Sequence, residues 1–122
     1  MENINEKILK IINDYILAFN EHDLEKVYSF LDDKCISTLK VTGKNDIIYN
    51  TDAVKQAYIN DFKSKDAKAE VIMSPKIVDE IDGNYAIEAI LFATLHKKKV
   101  YITYVLNKKN LKQINQIITK VE

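Results

Sequence analysis

The sequence DYILAFNEHDLEKVYSFLDD, residues 14–33, contains the end of one amphipathic helix, a short polar turn and a second amphipathic helix. In the second helix, apolar residues recur at the i, i+3, i+4, i+7 spacing of one buried face, which predicts an end near Asp32. They are Leu24, Val27, Tyr28 and Leu31. Upstream, Asn3 and Glu6 form a capping pair, so the first helix is predicted to run from there to about Asn20.

Beyond this helical pair the pattern changes to strands and then back to a helix. Residues 35–41, CISTLKV, are rich in β-branched side chains, and residues 47–49 form a second short strand after a polar turn. An apolar stripe at helical spacing then predicts a third helix. It is expected to begin at a cap on Asn50 or Thr51 and to end near Ser64.

Four further strands are predicted at residues 69–81, 85–95, 100–107 and 111–121. Polar turns separate them, so they are expected to form an antiparallel meander. Pro75 predicts a bulge or an edge position, because proline donates no hydrogen bond to a neighbouring strand. Three helices packed on one long, curved sheet give an α+β fold, and such a sheet encloses a cone-shaped pocket.

The composition of this 122-residue chain indicates one domain spanning residues 1–122. Its 18 basic residues are all lysines, and 18 acidic residues balance them. Nucleic-acid binding is disfavoured, because zero net charge gives no long-range attraction to phosphates and arginine is absent. The sequence has no continuous apolar stretch of membrane-spanning length, so we expect a cytoplasmic protein that does not associate with a membrane.

The sequence does not indicate metal or cofactor chemistry. Cys35 is the single cysteine, and the acidic pairs are sequence neighbours rather than i, i+4 partners on a helix. The two glycines, Gly43 and Gly83, do not form a phosphate-binding loop, and no metalloprotease or hydrolase motif is present. We therefore expect no metal and no cofactor.

The chain resembles the nuclear transport factor 2-like (NTF2-like) superfamily, in particular its SnoaL-like and ketosteroid isomerase-like branch, along nearly its whole length. The likeness is carried by YILAFNEHDL, FLDD and AVKQAYINDF, at residues 15–24, 30–33 and 53–62, and by Gly43. The resemblance implies a cone in which three N-terminal helices pack on a strongly curved mixed or antiparallel sheet. It does not specify an activity, because the superfamily includes isomerases, dehydratases, hydrolases, cyclases and transport adaptors.

Compared position by position, the resemblance supplies one catalytic group of a ketosteroid isomerase. Tyr15 matches the tyrosine that donates a hydrogen bond to the enolate. The matching positions for the catalytic base and the second oxyanion donor are Thr38 and Thr103, so both carboxyl groups are replaced. A threonine hydroxyl does not shuttle protons at neutral pH without a base beside it, which disfavours that isomerase activity. The absence of arginine likewise disfavours limonene epoxide hydrolase-like chemistry.

The pocket wall is expected to combine aromatic rings with hydroxyl and amide groups. Strand alternation predicts Tyr101 and Val105 beside Thr103 on the inner face, and Tyr104 on the outer face. The predicted pocket residues are Tyr15, Phe19, Thr38, Tyr49, Tyr58, Phe62, Phe92, Tyr101, Thr103 and Asn115. On the last strand two sets remain open, one with Gln113, Asn115 and Ile117 and the other with Ile114, Gln116 and Ile118.

Three functions remain open from the sequence. The first is binding of a small apolar molecule without turnover. The second is an isomerase, dehydratase or cyclase acting on a polyketide-like or steroid-like substrate, with Tyr15 as donor and Asp14, Asp61 or His22 as base. The third is a protein-interaction adaptor. Both His22 and His96 lie in polar turns, where solvent exposure is the expectation.

A homodimer is expected through the outer face of the sheet. The residues assigned to that face are Val100, Ile102, Tyr104 and Leu106. Such a face is too apolar to be exposed to water alone, and dimers of this kind are common in the superfamily that the chain resembles.

Overall fold

The computed structural model describes residues 3–122 and contains three helices in the first half of the chain. Helix α1 spans Ile4–Asn20, α2 spans Leu24–Ser29 and α3 spans Thr51–Asp61. Each begins at a capping side chain, Asn3, Asp23 or Asn50, which accepts a hydrogen bond from the backbone N–H three residues later. These caps satisfy donors that have no partner inside the helix, which explains why the helices start there.

Six strands form a single curved, mixed sheet. They are β1 (Leu31–Leu39), β2 (Ile47–Tyr49), β3 (Ala69–Ile81), β4 (Asn84–Ala93), β5 (Lys98–Leu106) and β6 (Gln113–Val121). The spatial order is β2-β1-β6-β5-β4-β3, with β1 and β6 parallel and the other neighbours antiparallel. The predicted α+β architecture and the meander of the last four strands are confirmed.

The second helix is shorter than predicted, because its expected last turn belongs to β1. Helix α2 ends at Ser29, and Leu31 already pairs with Gln113 of β6. The backbone N–H of Gln113 donates to the carbonyl of Phe30 at 2.9 Å, immediately before that pairing. Leu31 fits the helical spacing as well as a strand, so periodicity alone does not separate the two.

The predicted irregularity at Pro75 is confirmed. Pro75 lies in the edge strand β3, and the pairing of β3 with β4 shifts register between Met73 and Lys76. A residue without a backbone N–H is tolerated at such a position because the ladder is already interrupted.

The prediction for the inner face of β5 was wrong. The residues that face the helices are Val100, Ile102, Tyr104 and Leu106, and the opposite set is Tyr101, Thr103 and Val105. The Tyr104 ring packs edge-on against Tyr15 of α1, with 5.6 Å between ring centroids. Alternation separates a strand into two sets without saying which is inside, and both sets of β5 are apolar enough to be buried.

This reversal also removes the argument that the sequence offered for a homodimer. The four apolar residues assigned to the outer face lie instead in the core or on the wall of an internal cavity. The outer face carries the other set of each strand, including the polar Thr103 of β5 and its cross-strand neighbour Glu88 of β4.

The pairing of β6 with β5 settles which residues of the last strand face inward. Gln116 lies opposite Tyr104 and Ile118 lies opposite Ile102, so both share the helix-facing side. Val105 pairs with Asn115, but the next residue, Leu106, pairs with Gln113, so the register shifts by one residue. This shift brings Gln113 to the same side of the sheet as Gln116. The alternative set containing Asn115 and Ile117 therefore faces outward.

The core of the described residues lies between α1, α3 and the inner face of the sheet. Its fully buried members include Ile8 and Ile12 of α1, Ile87 of β4 and Leu106 of β5. In residues 3–122, the helices do not include one that is both long and apolar enough to cross a membrane.

Candidate functional site

Helices α1 and α3 and the inner face of the sheet enclose a cavity of about 360 Å³. A cavity of this size is within the range of small-molecule binding sites. Most of the wall is apolar and includes Ile16, Phe19, Val54, Leu91, Val100 and Ile102. The polar wall residues are Tyr15, Ser37, Tyr49, Tyr58, Asp61, Lys68, Tyr104 and Gln116.

Three buried polar side chains meet on this wall: Tyr15 of α1, Tyr58 of α3 and Gln116 of β6. The hydroxyl groups of Tyr15 and Tyr58 hydrogen-bond to each other. The Gln116 Nε2 atom lies 2.8 Å from the Tyr58 hydroxyl oxygen and 3.3 Å from that of Tyr15. Each side chain reaches the network from a different element, so the network exists only in the folded chain.

Gln113 extends the network into the core. Gln116 Nε2 donates to Gln113 Oε1 at 2.7 Å, whereas Gln113 Nε2 is buried without a hydrogen-bond partner among residues 3–122. A buried donor without an acceptor costs about 1–3 kcal/mol. If the O and N atoms of both side-chain amides are exchanged, this donor gains a partner. Gln113 Nε2 then donates to Gln116 Oε1, and Gln116 Oε1 also accepts from the Tyr58 hydroxyl.

In either amide arrangement, Tyr15, Tyr58 and Gln116 together leave at least one donor unused, apart from the amide group of Gln113. In the first, Gln116 donates to Tyr58, one phenolic proton is shared between Tyr15 and Tyr58, and the second phenolic proton has no acceptor in the network. In the reversed arrangement both phenolic protons are used, and the Gln116 NH₂ group becomes the unused donor. The wall therefore offers a hydrogen-bond donor to the cavity, and the complementary ligand atom is an acceptor.

Tyr104 adds a third phenol to the same wall. Its side chain is 1% exposed, and within residues 3–122 its hydroxyl has no hydrogen-bond partner. Buried tyrosine hydroxyls usually find a partner, and those that line a cavity can obtain one from its contents. Tyr104 thus presents a second unpaired polar group to the cavity.

Burial keeps these phenols in their neutral form. Removal from water raises the pKa of Tyr58 to about 12, although its hydrogen bonds with Gln116 and Tyr15 act in the opposite direction. Burial, together with the neighbouring phenols, also raises the pKa of Tyr15 and of Tyr104. At neutral pH the three side chains are therefore hydrogen-bond donors and not proton-accepting bases.

Asp61 and Lys68 supply the charged groups of the wall. His96 Nε2 lies 3.4 Å from Asp61 Oδ1, and Lys68 Nζ donates to the backbone carbonyl of Asn20. In the part of the chain from residue 3 onward, no three histidine, cysteine or acidic side chains converge as metal ligands would. Asp61 is the carboxylate of the described wall, so a proton acceptor in this cavity would be Asp61.

The two histidines occupy different environments. His96, in the turn before β5, is 61% exposed as expected, but it reaches Asp61 at the cavity. His22 is partly buried rather than exposed, because its ring stacks on Phe62 with 4.7 Å between centroids and its Nε2 lies 2.6 Å from the Ala67 carbonyl oxygen. His22 therefore ties the α1–α2 turn to the segment before β3 and does not line the cavity.

The structure brings four of the ten predicted pocket residues to the cavity. Those on the wall are Tyr15, Phe19, Tyr49 and Tyr58. Phe62 packs behind Phe19, with ring centroids 5.2 Å apart. The remaining five, Thr38, Phe92, Tyr101, Thr103 and Asn115, lie on the outer face of the sheet.

The outer position of Thr38 and Thr103 changes the comparison with ketosteroid isomerases. Thr38 donates to Asn115 Oδ1 at 3.1 Å on that outer face. The inward residues beside the two threonines are Ser37 and Tyr104. Neither is a carboxylate, so the replacement of both acidic groups holds at the inward positions as well.

Sequence reasoning did not select Tyr104, Gln116 or Lys68 as pocket residues. Gln116 belonged to one of two alternative sets on β6, and Tyr104 was placed outside by the reversed alternation of β5. A partial signal for Tyr104 was present, because a tyrosine in the middle of an otherwise aliphatic strand usually brings its hydroxyl to a polar neighbour or to a cavity.

No protein-family model and no curated protein matches the sequence, whereas many solved structures match the fold. An NTF2-like protein from Cytophaga hutchinsonii is similar over 97% of this chain and 98% of its own, with a TM-score of 0.64 and 16% identity. An NTF2-like protein from Mesorhizobium loti is similar over 100% of this chain and 96% of its own, with a TM-score of 0.63 and 10% identity.

A structure described as an epoxide hydrolase/cyclase-like enzyme, SalBIII, which acts in pyran ring formation in salinomycin, matches over 95% of this chain and 92% of its own. Its TM-score is 0.59 and its identity is 15%. These likenesses show that the chain has the NTF2-like fold, which is the fold that the resemblance implied.

Proposed function

We propose that this NTF2-like chain binds a small, mainly apolar molecule that carries a hydrogen-bond acceptor such as a carbonyl oxygen. The observation that carries the proposal is the pair of unused polar groups on a mainly apolar wall. One is the spare donor of the Tyr15, Tyr58 and Gln116 network, and the other is the hydroxyl of Tyr104.

The apolar part of the wall supports an apolar body for the ligand. Phe19, Leu91 and Ile102 line the cavity from α1, β4 and β5. Apolar rings or chains placed there would be removed from water, which favours binding. Each buried methylene-sized group contributes roughly 0.8 kcal/mol to such binding. The phenols then select orientation, because a buried donor without an acceptor is costly.

A matched pair of ligands tests this proposal. The fluorescent dye N-phenylnaphthylamine would report cavity occupancy, and acetylnaphthalene and ethylnaphthalene would compete with it. We expect the ketone to compete about fivefold better than the hydrocarbon, the value of one net hydrogen bond of about 1 kcal/mol. Tyr104→Phe should reduce that preference, and Tyr101→Phe, on the outer face of the same strand, should leave it unchanged.

Equal competition by the two naphthalenes would overturn the role of the phenols. Absence of dye binding, with the protein folded, would overturn ligand binding itself and favour the protein-interaction adaptor. Native mass spectrometry of the protein purified from its own cells would then show whether any small molecule is retained.

A second candidate function, an isomerase, dehydratase or cyclase, is favoured by one further observation. Asp61 lies one helical turn from Tyr58, so a carboxylate and neutral phenol donors face the same cavity. Such a pair could remove a proton next to a carbonyl while a phenol stabilises the developing oxyanion. Proton–deuterium exchange of a bound ketone tests it: exchange lost in Asp61→Asn but kept in the remote Asp79→Asn supports catalysis.

A further inference from the structure

The rim of the cavity carries a local excess of lysine in a chain with no net charge. Residues 61–68, DFKSKDAK, and 96–99, HKKK, contain six lysines and two aspartates, so the rest of the chain has an excess of acidic residues. The first segment joins α3 to β3, and the second joins β4 to β5.

These two segments are neighbours in space. The Lys68 backbone N–H donates to Thr94 Oγ1 at 2.9 Å, and the Thr94 backbone N–H donates to the Lys68 carbonyl at 3.0 Å. His96 and Asp61 connect the same segments a second time. Both segments therefore lie beside the cavity, whose wall includes Asp61 and Lys68 of the first segment and Ala93, just before the second.

Two of these lysines, Lys68 and Lys98, can be placed on the cavity side of the sheet. Lys68 is on the cavity wall. Lys98 precedes Val100 by two residues on β5, which places it on the same face, and it pairs with Ala93 of the wall. Within residues 3–122 Lys98 forms no ion pair, and Lys68 donates to a backbone carbonyl rather than to a carboxylate.

Asp61, Asp66 and Glu70 are the acidic residues near these lysines, and only Asp61 lines the cavity. Asp61 contacts His96, and its side chain is 30% exposed. An ammonium group has three protons, and Lys68 uses one of them on the Asn20 carbonyl, so donors remain on both lysines. A ligand reaching the rim from inside the cavity would thus meet two ammonium groups without carboxylate partners.

We propose that the ligand is an amphipathic anion, with its apolar body in the cavity and a carboxylate, sulfonate or phosphate-like group at the rim between Lys68 and Lys98. This inference rests on the proposed function, since it names the charge of the molecule that the cavity takes. The apolar cavity selects a ligand with an apolar body, and the two lysines select a ligand whose exposed end is negatively charged.

Two dyes that differ by a single charged group test the inference. N-phenylnaphthylamine is neutral, and anilinonaphthalene sulfonate has the same rings with an added sulfonate. We expect the sulfonate dye to bind more tightly, to be displaced by the neutral dye and to lose affinity as salt is raised. Lys68→Gln and Lys98→Gln should each weaken only the sulfonate dye, about two- to fivefold, and Lys109→Gln, in the turn before β6, should not.

The outcomes separate the two proposals. If neither dye binds, the proposed function fails. If both bind the cavity equally, without dependence on salt or on the two lysines, the function stands and the anionic ligand is overturned. The inference also fails if the neutral dye does not displace the sulfonate dye, because the latter is then adsorbed on the surface.

Discussion

The hydroxyl groups of Tyr15 and Tyr58 hydrogen-bond to each other although the two residues are 43 positions apart in the chain. Their rings meet edge to face, with 6.5 Å between centroids, and Gln116 donates to Tyr58 from a third element. A polar network buried at this depth ties α1, α3 and β6 together, and it also forms the polar part of the cavity wall.

Removing Gln116 should destabilise the fold as well as alter the cavity. Gln116→Leu leaves Gln113 and the two phenols without their shared partner, so we expect the free energy of unfolding to fall by about 1–3 kcal/mol. Urea denaturation followed by circular dichroism measures this. Gln56→Leu removes an exposed amide of α3, which hydrogen-bonds to Asn60, and should change stability little.

Alkaline pH should destabilise the protein through the buried phenols. Because burial raises the pKa of Tyr58 from 10.0 to about 12, the unfolded chain releases this proton before the folded chain does. The stabilisation is complete below the unfolded value and is lost as pH rises from about 10 to about 12. Urea midpoints measured across this interval should fall less steeply in Tyr58→Phe than in the parent protein. An unchanged slope would argue against burial as the cause.

Narrowing the opening of the cavity should weaken binding and leave the fold intact. Ala57 lies on the cavity wall and its side chain is exposed at the opening, so Ala57→Leu places a larger group there without overpacking the core. We expect the affinity for N-phenylnaphthylamine to fall at least about tenfold. The neighbouring position 56 does not line the cavity, and Gln56→Leu should bind the dye normally.

We also propose a homodimer through the outer face of the sheet, on different residues from those that the sequence suggested. That face carries Ile90 and Phe92 of β4, Tyr101 of β5 and Ile117 of β6, and beside them Ile48 of β2 is 64% exposed. Sedimentation should give a dimer, and Ile117→Lys should dissociate it. A parent protein that sediments as a monomer at high concentration would contradict the proposal.

The elements of the fold followed from local signals in the sequence. Asn3, Asp23 and Asn50 are side chains that satisfy first-turn donors, so each helix start is encoded within three residues of the chain. The irregularity at Pro75 is equally local, since it depends on one missing N–H. The NTF2-like resemblance implied three N-terminal helices packed on a strongly curved sheet, which agrees with the structure.

The tertiary structure alone decided which residues face the cavity. Tyr104 and Thr103 are adjacent, and alternation requires them to face opposite sides without assigning either to the inside. That assignment depends on packing against Tyr15, 89 positions away, and on the pairing of Tyr104 with Gln116. The sequence of β5 does not contain this information, because long-range packing and strand register are properties of the assembled sheet and not of any one segment.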